Sequence, residues 1–313
     1  MRVLLLELSC SDSCARHPSR YGGCGPSLRK LAEGLSCCYL MAEESCFEGD
    51  ISEKCIPIDK KIAEMIRDSV PYSLTYYNIP SFDIYIHCHP PLYLITDKPQ
   101  IVWGVGQNEE FNINHQHILL HDRSGQNPII KNDKTRIHDF VLGIDVLPFQ
   151  QSNKKNYIVQ VSNHYPQINS VLLAEWALKH KIKTMFAGPI SEDYPLLNYV
   201  DYDTTVYLGE IKREEKVKLI KNAALGCALY NFPINGPPLF VKECLSLGTP
   251  FISTAIPSII KSIKNGINGY IIQNEREFID AWSNRNSIQQ YDCWKTANQW
   301  STEKMVVSFD KVI

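Results

Sequence analysis

The chain of 313 residues is too long for one average hydrophobic core and suits two α/β domains of ordinary size. Its 44% hydrophobic and 21% charged residues describe a globular protein and exclude a disordered one. The formal net charge of -2 gives no global positive field, so nucleic acid is an unfavoured partner. No run approaches the ~20 apolar residues that a membrane span needs, although peripheral membrane contact stays open.

Cysteine is abundant, and its number, 11, is odd. Many of these residues cluster near the amino terminus, but none forms a Cys-x-x-Cys pair, which argues against a structural zinc site. A chain of this size does not need disulfides to fold. We therefore expect free thiols in a reducing, cytoplasmic compartment.

The first half reads as strands alternating with helices. Residues 3–8 form an apolar run of strand length, and the glycine-rich turn with Gly22 and Gly23 follows it. Backbone N–H groups of such a turn, placed before a helix, bind anions well. Apolar positions at helical spacing then predict a helix through residue 35. Further strands are predicted at residues 84–88, 100–105 and 117–121.

The second half restarts this alternation after residues 140–150, which resemble a strand leading to a domain boundary. Strands are predicted at 157–162, 183–187, 205–208, 226–230 and 251–253, and helices at 171–179, 214–224 and 238–247. The β-α-β order predicts parallel sheets covered on both faces. Ligands of such sheets bind beyond the carboxyl ends of the strands.

Several runs in this order resemble family 4 retaining glycosyltransferases. ECLSLGTP at residues 243–250 resembles the family's EAMACGTP, and KNGINGY at 264–270 resembles its EDGxNGx. The resemblance implies an α/β GT-B fold, with two Rossmann-like domains facing across a cleft. It implies an acceptor-side domain at 1–148, a donor domain at 149–290 and helices at 291–313 that cross back to the first domain.

The same resemblance suggests donor-binding residues. The family's counterpart of Glu243 accepts hydrogen bonds from the donor's ribose hydroxyls, a role that suits an acceptor-only carboxylate. Asn235 stands where the family has a second glutamate near the donor sugar. The nucleobase would lie beside Tyr207, Gly209 and Ile211. The donor would be a UDP- or GDP-sugar and the acceptor a hydroxyl group, with no cofactor and no metal.

The diphosphate motif departs from the family pattern. Asn163 and Ile168 replace the arginine and lysine that neutralise the leaving nucleoside diphosphate. Pro238 replaces a glycine before Leu239 and has no N–H to offer a phosphate. A protonated His164 would compensate in part for the missing cations.

The first half contains a further candidate in the run DIYIHCHP at residues 83–90, which resembles the family's DVVHxHxP. Strand alternation places His87 and His89 on one face. The resembled family uses the second histidine of this run near the reacting sugar, so the resemblance makes His89 the candidate for orienting that sugar or relaying a proton. A two-histidine metal site and a satisfied structural histidine are the alternatives.

Three functions remain open on this reading. The first is a retaining glycosyltransferase that acts on a glycan, lipid or other hydroxyl acceptor. The second is a catalytically degenerate binding protein with the same fold, favoured by the substituted phosphate motif. The third is sugar transfer to a nucleobase in DNA, against which the near-neutral charge argues.

Overall fold

The computed structural model describes two compact units, Met1–Gly143 with Thr302–Ile313, and Ile144–Ser301. The described residues are 2–7, 31–35, 37–43, 53, 55–58, 82–87, 100–104, 110–111, 117–121, 129–130, 136–140, 143–231 and 238–311. The acceptor and donor roles, and the domain bounds expected from the sequence, stay predictions.

The first unit contains a seven-stranded sheet in the order β3-β2-β1-β4-β5-β7-β9, with every pair of neighbours parallel. A separate parallel pair joins β6 and β8. The strands are β1 (Val3–Glu7), β2 (Cys38–Glu43), β3 (Cys55–Ile58), β4 (Ile84–His87), β5 (Gln100–Gly104), β6 (Glu110–Phe111), β7 (His117–His121), β8 (Ile129–Ile130) and β9 (Arg136–Phe140).

The second unit contains a six-stranded parallel sheet in the order β12-β11-β10-β13-β14-β15. Its strands are β10 (Lys155–Val161), β11 (Thr184–Ala187), β12 (Thr205–Tyr207), β13 (Ala223–Ala228), β14 (Phe251–Thr254) and β15 (Gly269–Ile272). Its helices are α1 (Ser170–His180), α2 (Arg213–Asn222), α3 (Leu239–Ser246), α4 (Pro257–Ile260), α5 (Glu275–Ser283) and α6 (Gln290–Ala297). Short 3-10 turns lie at Pro166–Ile168, Pro195–Tyr199, Arg285–Ser287 and Asn298–Trp300.

The core of the second unit forms around the central strand β13, of which every residue is buried. A strand between parallel neighbours and covered on both faces requires such a continuous apolar run. Residues from several elements pack together on one side of this sheet, among them Ile158, Leu173, Phe186, Ile252 and Phe278.

The first unit buries the start of β1, where Val3, Leu4 and Leu5 have no exposed surface. The last helix, α7 (Thr302–Asp310), belongs to this unit and buries Met305 and Phe309. This burial explains why the chain returns to the first unit after the second is complete.

The structure corrects the strand expected at residues 140–150. β9 ends at Phe140, and from residue 143 to 150 the chain forms only an isolated bridge between Ile144 and Ser301. Pro148 has no N–H for a sheet, and Leu147 is 66% exposed, so this segment has neither the hydrogen bonds nor the burial of a strand.

Candidate functional site

The carboxyl edge of the six-stranded sheet gathers the loops that follow its strands, where ligands of parallel sheets bind. Seven residues predicted for the donor site are described in this unit: Asn163, His164, Tyr207, Gly209, Ile211, Leu239 and Glu243. Four others lie outside the described residues: Gly22, Gly23, His89 and Asn235.

His164 follows β10 and is fully buried. Its Nδ1 lies 2.8 Å from the Ser170 hydroxyl oxygen, and its Nε2 lies 3.1 Å from the Ala187 carbonyl oxygen. Burial lowers the pKa of His164 to about 4, although the Ala187 carbonyl opposes the shift. The ring is therefore neutral at neutral pH, and the suggestion that it supplies a positive charge for phosphate is wrong there. Its place in the donor site stays a prediction.

The carboxyl end of β10 holds buried polar atoms that lack hydrogen-bond partners within the described part of the chain. They are both amide atoms of Gln160, the Ser162 hydroxyl and Oδ1 of Asn163. An unpaired buried polar group costs about 1–3 kcal/mol, so its presence in a native fold needs an explanation. A polar ligand or water bound at this edge would supply the partners. Sequence reasoning missed Gln160, although a glutamine between two valines of a buried strand is an unusual polar residue in a core.

The loops after β11 and β12 are joined by hydrogen bonds. The Tyr207 hydroxyl donates to the Gly188 carbonyl at 2.7 Å, and the Gly188 N–H donates to the Gly209 carbonyl at 2.9 Å. Gly209 has a φ of 67°, a conformation that glycine adopts without strain. Burial, together with the Glu210 carboxylate, raises the pKa of Tyr207. These bonds connect the backbone at Gly188 to Tyr207 and Gly209. The expectation that a nucleobase lies beside Tyr207, Gly209 and Ile211 stays a prediction.

Glu243 on α3 forms an ion pair with Lys216 on α2. Its Oε1 lies 2.7 Å from Lys216 Nζ, and the side chains are 25% and 7% exposed. Sequence reasoning missed Lys216, although it lies four residues before the buried Ile220 on one helix face, an unusual place for a lysine. The ion pair fixes the carboxylate and leaves a quarter of the side chain accessible.

The start of α3 lacks a backbone N–H at Pro238, as the sequence indicates. Pro238 precedes the helix and makes no side-chain capping bond, so the first backbone donor of α3 belongs to Leu239. Lys242 on α3 is fully buried, with its Nζ 5.9 Å from the Trp300 ring centroid. Ile168 is 5% exposed and packs in the core, where the resembled family has a lysine.

The described residues include no group of three or more His, Cys, Asp or Glu side chains placed to hold a metal ion. Among the described cysteines, Cys37, Cys227, Cys244 and Cys293 are free thiols. Within the same residues, every helix falls short of the length and apolar character that crossing a membrane requires.

Comparison with known proteins identifies the fold. No protein-family model and no curated protein matches the sequence. The structure is similar to AviGT4, a glycosyltransferase involved in avilamycin A biosynthesis, with a TM-score of 0.69 and 14% identity over 100% of this chain and 96% of that one.

Two further structures were solved with nucleotides. Anabaena HepE in complex with UDP has a TM-score of 0.67 at 10% identity, covering 100% of this chain and 99% of that one. The pneumococcal O-GlcNAc transferase GtfA, in complex with UDP and GlcNAc, has a TM-score of 0.59 at 13% identity, covering 76% and 58%.

These similarities show the fold, and the predicted fold class is confirmed. The chain is an α/β protein with two Rossmann-like units, and it shares the GT-B fold of glycosyltransferases that are known as complexes with UDP or a UDP-sugar. At such low identity the similarity extends to the fold alone, and the chemistry has to be argued from this chain's own residues.

Proposed function

We propose that this protein is a glycosyltransferase that moves a sugar from a nucleotide-sugar donor to a hydroxyl acceptor. The full-length similarity to AviGT4 and HepE supports the fold that this reaction uses. HepE also has a complex with UDP-glucose, which favours a UDP-sugar over a GDP-sugar as the donor. The free cysteines fit a reducing, cytoplasmic location.

The Glu243–Lys216 ion pair is the observation that carries this proposal. Lys216 Nζ holds one carboxylate oxygen at 2.7 Å, and the exposed remainder of the Glu243 side chain can accept hydrogen bonds from two ribose hydroxyls. We assign the donor to the unit Ile144–Ser301, which contains this pair. The other unit would bind the acceptor.

The reaction proposed is transfer with retention, as the family 4 resemblance implies. The acceptor hydroxyl would enter on the face from which the diphosphate leaves, so the protein has to position the reactants and stabilise charge. His89 would orient the reacting sugar, and the Asn235 amide would hydrogen-bond a sugar hydroxyl. Ser162, Asn163 and the first amides of α3 would contact the diphosphate without a full positive charge, so we expect slow turnover.

The first prediction concerns Glu243. Replacing it by Ala or Gln should weaken UDP binding by about tenfold to a hundredfold, because a hydrogen bond to a charged group contributes about 1.5–3 kcal/mol. Isothermal titration calorimetry with UDP and GDP measures this change. Glu243→Gln keeps an oxygen that can accept a hydrogen bond from Lys216. Weaker UDP binding in this variant therefore reports a lost contact to the donor, and not the unfolding that a buried, unpaired Lys216 would cause.

The matched control is Asp280→Ala, which removes an exposed carboxylate from helix α5 of the same unit. It should leave UDP affinity unchanged. A folded Glu243 variant with wild-type affinity for UDP would show that Glu243 is not a donor ligand.

A binding protein without transferase activity is the second candidate. It is favoured by the burial of Ile168 and the neutrality of His164, because neither side chain offers the charge that a leaving diphosphate needs. Incubation with UDP-glucose distinguishes the two functions. Release of UDP at a measurable rate supports the enzyme, whereas binding without any hydrolysis supports the binding protein.

A further inference from the structure

A groove of about 670 Å³ lies on the second unit, between helix α2 and the amino-terminal halves of β10 and β11. Residues from the start of β10, the start of β11 and the length of α2 line it. Ile211, which is predicted to lie beside the nucleobase, lines one end of the groove, whereas Glu243, Ser162 and Asn163, proposed for the donor's ribose and phosphates, do not line it.

The floor of the groove is apolar. Tyr157 and Met185 belong to adjacent strands, and Leu219 faces them from α2. Leu208 continues the floor toward the carboxyl edge and is 40% exposed. A flexible methionine and an exposed leucine give a surface that adapts to hydrocarbon.

The rim of the groove carries positive charge. Lys155 begins β10, Lys183 directly precedes β11 and Lys218 lies on α2, and all three are exposed. Glu215 is the acidic residue among the lining positions, and its carboxylate accepts a hydrogen bond from the Lys212 N–H. The local charge is therefore positive, although the whole chain has a net charge of -2.

Two directional polar groups of the lining are engaged inside the protein. The Tyr157 hydroxyl donates to the Leu219 carbonyl at 2.6 Å, and Asn156 Oδ1 accepts two bonds from Arg285. A peptide backbone needs such directional partners, whereas a phosphate group is held well by lysine ammonium charges alone. Tyr157 is 5% exposed, so the groove offers no aromatic face on which a nucleic acid base could stack.

We propose that this groove binds the phosphate headgroup of an anionic membrane phospholipid. Lys155, Lys183 and Lys218 hold the phosphate, and the accessible apolar floor of Met185, Leu208 and Leu219 receives the glycerol and the first acyl carbons. The site would attach the protein to the surface of a membrane without a spanning helix. This function goes beyond sugar transfer and does not require it.

Co-sedimentation with vesicles tests the proposal on the full chain. Vesicles of phosphatidylcholine with phosphatidylglycerol should bind the protein, and vesicles of phosphatidylcholine alone should not. In the triple variant K155Q/K183Q/K218Q, partitioning should fall on the order of a hundredfold, because each lysine near an anionic surface contributes about a fivefold factor. Binding should also weaken as salt is added. The thermal unfolding temperature of the variant should stay unchanged, since all three side chains are exposed.

The control variant K261Q/K264Q/K295Q removes the same charge from exposed lysines of this unit that do not line the groove. It should retain vesicle binding. An equal loss in both triple variants would mean that the net charge, and not the groove, drives attachment, and would overturn the proposal. Absence of wild-type binding to anionic vesicles would also overturn it, as would a groove that binds inorganic phosphate or polyglutamate but no vesicles.

Discussion

Burial determines what single residues near the carboxyl edge of the second sheet can do. His164 and Lys242 are both fully buried, so neither side chain can meet a phosphate in solvent as a free cation would. Glu243, by contrast, keeps a quarter of its side chain exposed beside Lys216. The residues at this edge therefore favour binding of a polar ligand through hydroxyl, amide and carboxylate groups over neutralisation of a phosphate by a cation.

The neutrality of His164 predicts how stability depends on pH. Its pKa is about 4 in the folded protein, whereas histidine in an unfolded chain has a pKa of about 6.5. Below about pH 6.5 the unfolded chain binds a proton that the folded ring does not, so the free energy of unfolding should fall as the pH decreases toward 4. The loss should be about 2 kcal/mol between pH 7 and pH 5, measured by urea denaturation.

The variant His164→Gln can keep hydrogen bonds to Ser170 and Ala187 but cannot titrate, so it should lose most of this pH dependence. Replacement of the half-exposed His180 by Gln serves as the control and should leave the dependence on pH in place. NMR titration of the His164 ring checks the cause directly. A midpoint near pH 6.5 would contradict the buried, neutral ring.

At the scale of elements, the approach of helix α3 to the sheet fixes the position of Glu243. A Cβ atom on Gly226 of β13 would lie 2.5 Å from Cys244 Sγ and 2.9 Å from the Phe251 ring. Glycine at this position therefore allows the helix to pack directly on the strand. Because Glu243 precedes Cys244, this contact sets where the carboxylate lies.

Gly226→Ala should destabilise the protein by about 1–3 kcal/mol, the usual cost of overpacking a core. Chemical denaturation measures the loss. The double variant Gly226→Ala/Cys244→Ala removes the closest clashing atom, so it should recover part of the stability relative to the sum of the single variants. If the two losses of stability prove additive, the contact between Gly226 and Cys244 does not limit how closely α3 packs on β13.

The sequence predicts elements better than it predicts side-chain partners. Hydrophobic runs located β7 at its observed bounds and β10, β11 and β12 within two residues. For β10 and β11 the reason is that a largely buried strand leaves a continuous apolar signal. The ion pair of Lys216 with Glu243 joins residues far apart in the chain, and local patterns carry no information on such a pairing. The same holds for the unpaired amide of Gln160, whose energetic cost depends on neighbours from other strands.

At the scale of the whole molecule, each unit has its own sheet and its own buried residues. The core cluster of the second unit extends from Ile158 to Phe278 and Ala281, and all of its members lie within Ile144–Ser301. The last helix, α7, belongs to the first unit and buries Met305 and Phe309. The chain therefore enters the second unit once and leaves it once.

This arrangement predicts that the segment Ile144–Ser301 folds alone. A unit with a complete core should unfold cooperatively, because none of its central side chains depends on the other unit. Circular dichroism during thermal unfolding tests this, with a sharp transition expected for the fragment and a gradual loss of signal contradicting it. If this unit holds the donor's nucleotide, the folded fragment should bind UDP within about tenfold of the full chain, since a tenfold change corresponds to only about 1.4 kcal/mol of contacts from the first unit. A folded fragment that fails to bind UDP, beside a full chain that does bind it, would move essential donor contacts into the first unit.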